Sequence, residues 1–348
     1  MTAAAPRGSL AGMAEPRRVL VVGAGAVGQV YGRHLQLGGA EVTFFVRDRY
    51  RATVERGFDM YTLNGRRPTE PVRFEAFSVV THPDEVAARR FDQVYLTVSS
   101  PALAGAWLRE LVAAAGDATI VALQPGKDDE AVLLAAGVPA ERLVSGMITL
   151  ISYSAPLPGE TRFPRPGMAY WFPPMAPMPL SGPRERAAAV VDALRAGKLP
   201  AKRHPDVPSS VAFPSAILMP YLVALETAGW SFRELGRGRA IELGARAARE
   251  ALAVVAAGSG RRPSLGARLM ARPRMLRLAL WFGRRVTPLP LEIYLREHFT
   301  KVHDQTIEFM LGYIAKGKHA GLEVTALEQL VAEVPAVRAP VTAREVAR

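Results

Sequence analysis

Arg17-Arg18-Val19-Leu20-Val21-Val22-Gly23-Ala24-Gly25-Ala26-Val27-Gly28 decides how this chain is read. A helix-like stretch carries it to Gly38-Gly39, and the apolar run Glu41-Val42-Thr43-Phe44-Phe45-Val46-Arg47 follows. Strand, glycine turn, helix and second strand make one β-α-β unit. Each glycine has its own task in a dinucleotide-binding turn. Gly23 makes the tight turn, Gly25 lets the backbone approach a pyrophosphate, and Gly28 lets the helix pack closely on the strand. Free N–H groups at the helix start then face the phosphates. Gly23, Ala24, Gly25, Ala26, Val27 and Gly28 are therefore the expected cofactor-binding turn.

The end of the second strand selects the nucleotide, because NAD binders usually place a carboxylate there and NADP binders an arginine. This chain reads Val46-Arg47-Asp48-Arg49, with Arg51 next in line. Arg47 would give the 2′-phosphate of NADP a charge-assisted partner. Asp48 is the dissenting residue, able to accept from a ribose hydroxyl or to cap the next helix. The expectation is NADP(H).

At 348 residues, 49% of them hydrophobic and 22% charged, the chain has the size of two ordinary globular domains. With no cysteine it has no disulfide framework, thiolate metal site or cysteine nucleophile. The six histidines never take zinc-enzyme spacing with a carboxylate, so no metal is expected. Residues 1–16 are rich in Ala, Gly and Pro and read as a disordered leader without an export signal, which points to the cytoplasm. The strongest apolar run, Ala216 to Leu225, is half of what a membrane-spanning helix needs.

The net charge of +12 is concentrated between Arg261 and Lys301, where ten basic side chains face only Glu292 and Glu297. Leu269, Met270, Leu276, Leu278, Leu280, Trp281 and Phe282 alternate with the arginines. That pattern describes basic amphipathic helices better than a nucleic-acid groove. It reads first as a solvated helical face, and second as a peripheral membrane contact.

Further apolar runs at Phe91 to Val98, Ala118 to Leu123 and Leu143 to Tyr153 continue the parallel sheet. Asn64-Gly65 predicts a hairpin turn. Proline and aromatic residues from Ser154 to Gly182 predict extended segments closing the nucleotide domain. Beyond Ser209, helical patterns run over Val211 to Leu235 with Pro220 inside, Arg239 to Ala257, and Glu292 to His319. The fold class is an α/β Rossmann-type nucleotide-binding domain over 17–203, followed by an all-α C-terminal domain over 204–335 for substrate binding or dimerisation and a tail at 336–348.

These features together resemble the ketopantoate reductase family over roughly Arg17 to Leu330. Supporting motifs are Asp92 opening its strand, Leu123-Gln124-x-Gly126, Pro158-Gly159 and Gly321-Leu322. The resemblance implies an oxidoreductase that reduces a small 2-oxo acid with NADPH in a cleft between two domains. It also adds Gln124 to the cofactor site, since the family's Gln-Asn-Gly turn reads Gln124-Pro125-Gly126 here. Ser99 joins it where the family carries a phosphate-binding lysine.

The family's catalytic helix carries Lys, two Asn and Pro, and anchoring on Pro220 puts Val211, Ser215 and Met219 at those places. Its substrate-binding glutamate falls at Gln305 or Thr306. The resemblance thus implies a divergent member whose substrate differs from ketopantoate and whose proton donor lies elsewhere. Replacement candidates are Asp304 and Glu308, one helical turn apart, and His303 beside them. Tyr221 and Glu226 are further options. The alternative reading is a catalytically degenerate NADP(H)-binding sensor or scaffold. The Leu278 to Phe282 stretch could wall a wide apolar pocket, form an extra core layer or make a homodimer contact.

Overall fold

The computed structural model describes residues 15–65, 70–124 and 127–334. The expected leader, except its last two residues, the Pro125-Gly126 turn, the tail at 336–348 and the side chains of Lys127 and Asp128 lie outside the described residues. The chain divides into two compact units. The first comprises Met1–Met60, Val72–Ser152 and Pro174–Pro205, and the second Tyr61–Pro71, Tyr153–Pro173 and Asp206–Arg348.

The first unit is built on an eight-stranded sheet. Its spatial order is Ala201–Arg203, Met178–Ser181, Leu143–Gly146, Thr119–Ala122, Gln93–Leu96, β1 (Arg18–Val22), β2 (Glu41–Phe45) and Ser78–Val80. From Leu143–Gly146 to Ser78–Val80 all neighbours run parallel, and Met178–Ser181 turns antiparallel to Leu143–Gly146. Parallel strands are covered on both faces, which is why they read as continuous apolar runs. Val19, Leu20, Val21, Val94, Tyr95, Leu96 and Val121 have no exposed surface.

Helix α1 (Ala26–Leu37) connects β1 to β2 and stops at Gly38, whose N–H donates to the carbonyls of His34 and Leu35 at 3.0 Å each. After β2, Phe58–Met60 pairs antiparallel with Val72–Phe74, and Phe44, Phe58, Phe74 and Phe77 pack ring against ring. The run expected over Leu143 to Tyr153 is two strands, Leu143–Gly146 and Ile151–Ala155. Gly146 ends the first where Met178 crowds in, 2.4 Å from where a Cβ would stand.

The second unit is helix-rich. Ala245, Ala247, Ala248 and Ala251 on Ala240–Ser259 are fully buried, and a Cβ on Gly244 would stand 2.8 Å from that of Ala224. Small side chains there let Ala212–Thr227 and Ala240–Ser259 approach closely. Both Glu250 carboxylate oxygens accept N–H groups at the start of Thr325–Ala332, from Ala326 and Leu327 at 2.9 Å. The strand Gly167–Trp171 belongs here, tied by the Leu63 N–H to the Tyr170 carbonyl and by the Asn64 amide to Phe172. Asn64 thus clamps a neighbouring segment, and the hairpin expected at Asn64-Gly65 runs into residues outside the described ones.

Two long helices expected from periodicity are interrupted. Val211 to Leu235 is Ala212–Thr227 and Phe232–Arg237, broken where Gly229 and Trp230 take φ of 65° and 60° and Ser231 caps the second piece. Glu292 to His319 is Leu291–Lys301 and His303–His319, broken at Val302. The basic segment folds as Leu265–Met270, Pro273–Val286 and Leu291–Lys301. Leu278, Trp281 and Phe282 are each more than half exposed, so they form no extra core layer. Among the described residues, no helix is long and apolar enough to cross a membrane.

Gly28 is where α1 meets the turn it springs from. A Cβ on it would stand 2.1 Å from the Gly23 carbonyl oxygen and 2.7 Å from Thr97 Oγ1. Gly28→Ala is expected to lower stability by about 1–3 kcal/mol, as overpacking a rigid contact does, read as a lower urea midpoint with an unchanged slope.

Candidate functional site

The glycine turn opens onto a cleft of ≈ 650 Å³ contained within the first unit, a size suited to a small ligand or part of a dinucleotide. Gly23, Ala24, Gly25 and Gln29 line one side, Val46, Arg47, Tyr50 and Val54 another, and Thr81, Pro83, Val98, Ala102, Trp107 and Glu110 complete it. Gly23 takes φ +95°, which favours glycine, and its N–H donates to the Phe45 carbonyl at 2.9 Å. The turn is thereby stitched to the end of β2.

A Cβ on Gly25 would meet nothing within 4 Å and would project into open space. Helix α1 begins at Ala26 with no side chain capping its N-terminus, so its first amides remain available to an anion. Ala26 and Val27 form the first turn of that helix. Thr97 seals the turn from beneath, its hydroxyl lying 2.7 Å from the Val22 carbonyl and 3.0 Å from that of Gly23.

The three arginines after β2 have different surroundings. Arg51 donates to Glu85 at 2.9 Å, to Thr81 Oγ1 at 3.0 Å and to the Val79 carbonyl. Arg49 lies over the Tyr50 ring at 4.8 Å. Arg47 lines the cleft, is exposed, and makes no ion pair among the described residues. Asp48, the dissenting carboxylate, sits 3.8 Å from Arg51 and 3.5 Å from the Thr81 hydroxyl.

Glu85 organises the far wall. It accepts from the backbone N–H of Thr81 at 2.8 Å and of His82 at 3.1 Å, besides pairing with Arg51. The Thr81 N–H first, then Arg51 and the His82 N–H, hold its pKa down to about 2 against the opposing effect of desolvation. Sequence reasoning missed Thr81, Trp107 and Glu85. The His82-Pro83-Asp84-Glu85 capping box was the one legible signal for Glu85.

Ser99 is exposed and stands between the lining residues Val98 and Ala102. Gln124 is buried, and its amide nitrogen donates to the Leu96 carbonyl at 3.2 Å and to that of Val98. Gln124 Oε1 has no partner among the described residues, and a buried orphan acceptor is a place where a ligand donor is favoured.

In the second unit, His303 Nδ1 lies 3.0 Å from Glu226 Oε1, with both side chains only 12% and 15% exposed. Burial pushes the Glu226 carboxyl above its usual range, and the facing imidazole opposes that. Asp304 and Glu308 are exposed on the same helix, away from this pair in burial. Tyr221 donates its hydroxyl to the Met270 carbonyl at 3.0 Å and is committed to structure. Val211 and Thr306 are buried, and the Thr306 hydroxyl donates to the Val302 carbonyl, so neither offers a proton donor. A second cleft of ≈ 680 Å³ in this unit is lined by Pro158, Gly159, Arg162, Pro288 and Ile293. Its Arg162 is already held by Glu160, Tyr153 and the Pro288 carbonyl.

Residues 19–175 match the family model described as ketopantoate reductase PanE/ApbA. Among curated proteins, none matches this sequence significantly. Solved structures similar to this chain include a 2-dehydropantoate 2-reductase from Geobacter metallireducens GS-15, 19% identical with a TM-score of 0.64, covering 91% of this chain and 98% of that one. A PanE/ApbA family ketopantoate reductase from Ralstonia eutropha JMP134 is 17% identical with a TM-score of 0.67, covering 91% and 97%. D-mandelate dehydrogenase with NADH and anilino(oxo)acetate is 16% identical with a TM-score of 0.63, covering 91% and 96%. At these identities the likeness is one of fold.

Because Glu85 is held ionised by partners present only in the folded state, its contribution is present above the ordinary glutamate pKa. It is lost as pH falls from about 4.5 through about 2. Glu85→Gln should flatten the dependence of the urea midpoint on pH in that window. An unchanged acid limb would show that Glu85 does not couple folding to pH.

Proposed function

We propose, on the premise that residues 19–175 are a ketopantoate reductase PanE/ApbA domain, that this protein is an NADPH-dependent oxidoreductase. It would reduce the C=O or C=N group of a small-molecule substrate other than ketopantoate. The observation that carries this reading is the unpaired Arg47 in the same cleft as the open Gly25 turn.

The first unit suits a dinucleotide on three counts. A pyrophosphate would meet the uncapped amides of α1 where Gly25 leaves room, and a 2′-phosphate would meet Arg47. Gln124 Oε1 would accept a donor at the strand ends. Arg51 is held by Glu85 and so leaves Arg47 as the guanidinium available to the ligand. Bound there, NADPH would supply a hydride, and the reduced oxygen or nitrogen would then need a proton.

His303 is proposed as the donor. It is the one candidate of the three whose ring is fixed by a shielded carboxylate, Glu226. A carboxylate on one ring nitrogen fixes the tautomer and the ring's orientation, leaving the other nitrogen to face a substrate. Asp304 and Glu308 are solvated and have no comparable setting. The residues at Val211, Ser215 and Met219 supply no acid, which is why the substrate is proposed to differ from ketopantoate.

Calorimetry with NADPH and NADH, followed by nicotinamide absorbance across a carbonyl and imine panel, tests the proposal. Arg47→Gln is expected to weaken NADPH roughly 10- to 100-fold, the worth of a charge-assisted contact, and to leave NADH nearly unchanged. His303→Gln should lower kcat about 10²- to 10⁴-fold with NADPH affinity retained. Failure of both nucleotides to bind removes the reading, and binding without turnover on any substrate leaves a nucleotide-binding protein instead.

A further inference from the structure

Helix Pro273–Val286 carries one broad apolar sector and one arginine-rich sector. At 100° per residue, Leu276 and Leu280 fall at one edge of the apolar sector and Leu278, Phe282 and Val286 toward the other, while Arg274, Arg277, Arg284 and Arg285 share the remaining arc with Trp281 among them. Leu276 is buried and Leu280 packs against the helical core. The edge away from the core is uncovered, with Leu278 at 56%, Phe282 at 58% and Val286 at 48% exposed, and Trp281 beside it is 54% exposed. Four contiguous large apolar side chains in water on one helix call for an occupant.

The charge around the patch selects that occupant. Residues 261–286 contain eight arginines and no aspartate, glutamate or lysine. Arg274, Arg284 and Arg285 are exposed on the same helix. Arg285 lies over the Trp281 ring at 3.9 Å and donates to the Trp281 carbonyl at 3.1 Å. Among the described residues, Arg277 alone of them is partly neutralised by a carboxylate, 3.3 Å from Glu242.

A second copy seated face to face would bring arginine against arginine across an apolar contact, which like-charge repulsion opposes. A nucleic acid would satisfy the arginines and leave Leu278, Phe282 and Val286 in water. An anionic lipid surface satisfies both, with guanidinium groups at the phosphates and Trp281 and Phe282 at the acyl boundary.

We propose that the outer face of Pro273–Val286 docks this protein on anionic lipid bilayers. The helix would lie in the interface plane. This proposal is independent of the nucleotide reading, because every residue it uses lies in the second unit.

The test uses the full chain and sedimentation with vesicles of phosphatidylcholine, with and without phosphatidylglycerol. Each arginine near such a surface contributes a factor of roughly five, so binding should be on the order of 10²-fold stronger to the anionic vesicles and should fall with salt. Arg274→Gln with Arg285→Gln, the two arginines that border Leu278 on the wheel, should weaken it about 10- to 30-fold. Trp281→Phe should keep binding while removing part of the fluorescence quenching caused by brominated acyl chains, which shows insertion of that ring. Phe282→Glu should abolish binding while the thermal melt stays unchanged, since the side chain points away from the core.

Equal binding to neutral and anionic vesicles overturns the proposal, as does no binding to either. A dimer in analytical ultracentrifugation that Phe282→Glu dissociates assigns the face to a second copy and also overturns it. Tighter binding to duplex DNA than to vesicles, insensitive to Phe282→Glu, assigns the arginines to nucleic acid with the same consequence.

Discussion

The contact between Gly28 and the Gly23 carbonyl is the constraint on which the nucleotide-type unit depends. With no side chain at position 28, the first turn of α1 settles onto the peptide that ends β1, and Thr97 closes the same point from the neighbouring strand. Strand, turn and helix are thereby fixed as one rigid piece. The direction of α1 follows from it, and so does the direction in which its unpaired amides face. Because Gly23 is also bonded to Phe45, the end of β2 is held beside the turn. Arg47, two residues on, inherits its place at the cleft from that bond.

The arginines after β2 show how a fold assigns identical side chains to different work. Arg51 is on the helical turn that faces Glu85, whose carboxylate is already fixed by two backbone N–H groups. Arg49 is carried outward over Tyr50. The sequence Arg47-Asp48-Arg49 offers a cation and an anion at almost the same distance from the strand, and composition cannot choose between them. The structure separates them through neighbours, since Asp48 faces Thr81 and Arg51 while Arg47 faces the cleft.

What was legible in the sequence is what rests on local rules. Glycine at Gly23, Gly25 and Gly28 and β-branched runs for doubly covered strands act over a few residues, so the β-α-β unit and the parallel strands that follow it at Gln93–Leu96, Thr119–Ala122 and Leu143–Gly146 could be read directly. The helix-rich second half was legible for the same reason. What failed was the length of helices, as at Thr227 to Phe232 and at Val302, where periodicity continues but the backbone turns. Gly229 was a visible signal for the first break. The second carries no Gly or Pro and coincides with His303 turning toward Glu226, a partner 77 residues away in sequence.

Such long-range pairs also explain why the candidate proton donors could not be ranked from the chain alone. On a helical wheel His303, Asp304 and Glu308 are similar polar residues near the start of one helix, and nothing local distinguishes them. Burial does so, because Asp304 and Glu308 are exposed while His303 is largely shielded. His303 instead meets a carboxylate that burial has made a stronger base. A carboxylate so placed gains most from a neighbour that can carry positive charge, and an imidazole gains most from a neighbour that can hold negative charge. Either partner alone would leave a poorly solvated polar group, so the fold keeps the two side chains together across 77 residues of sequence.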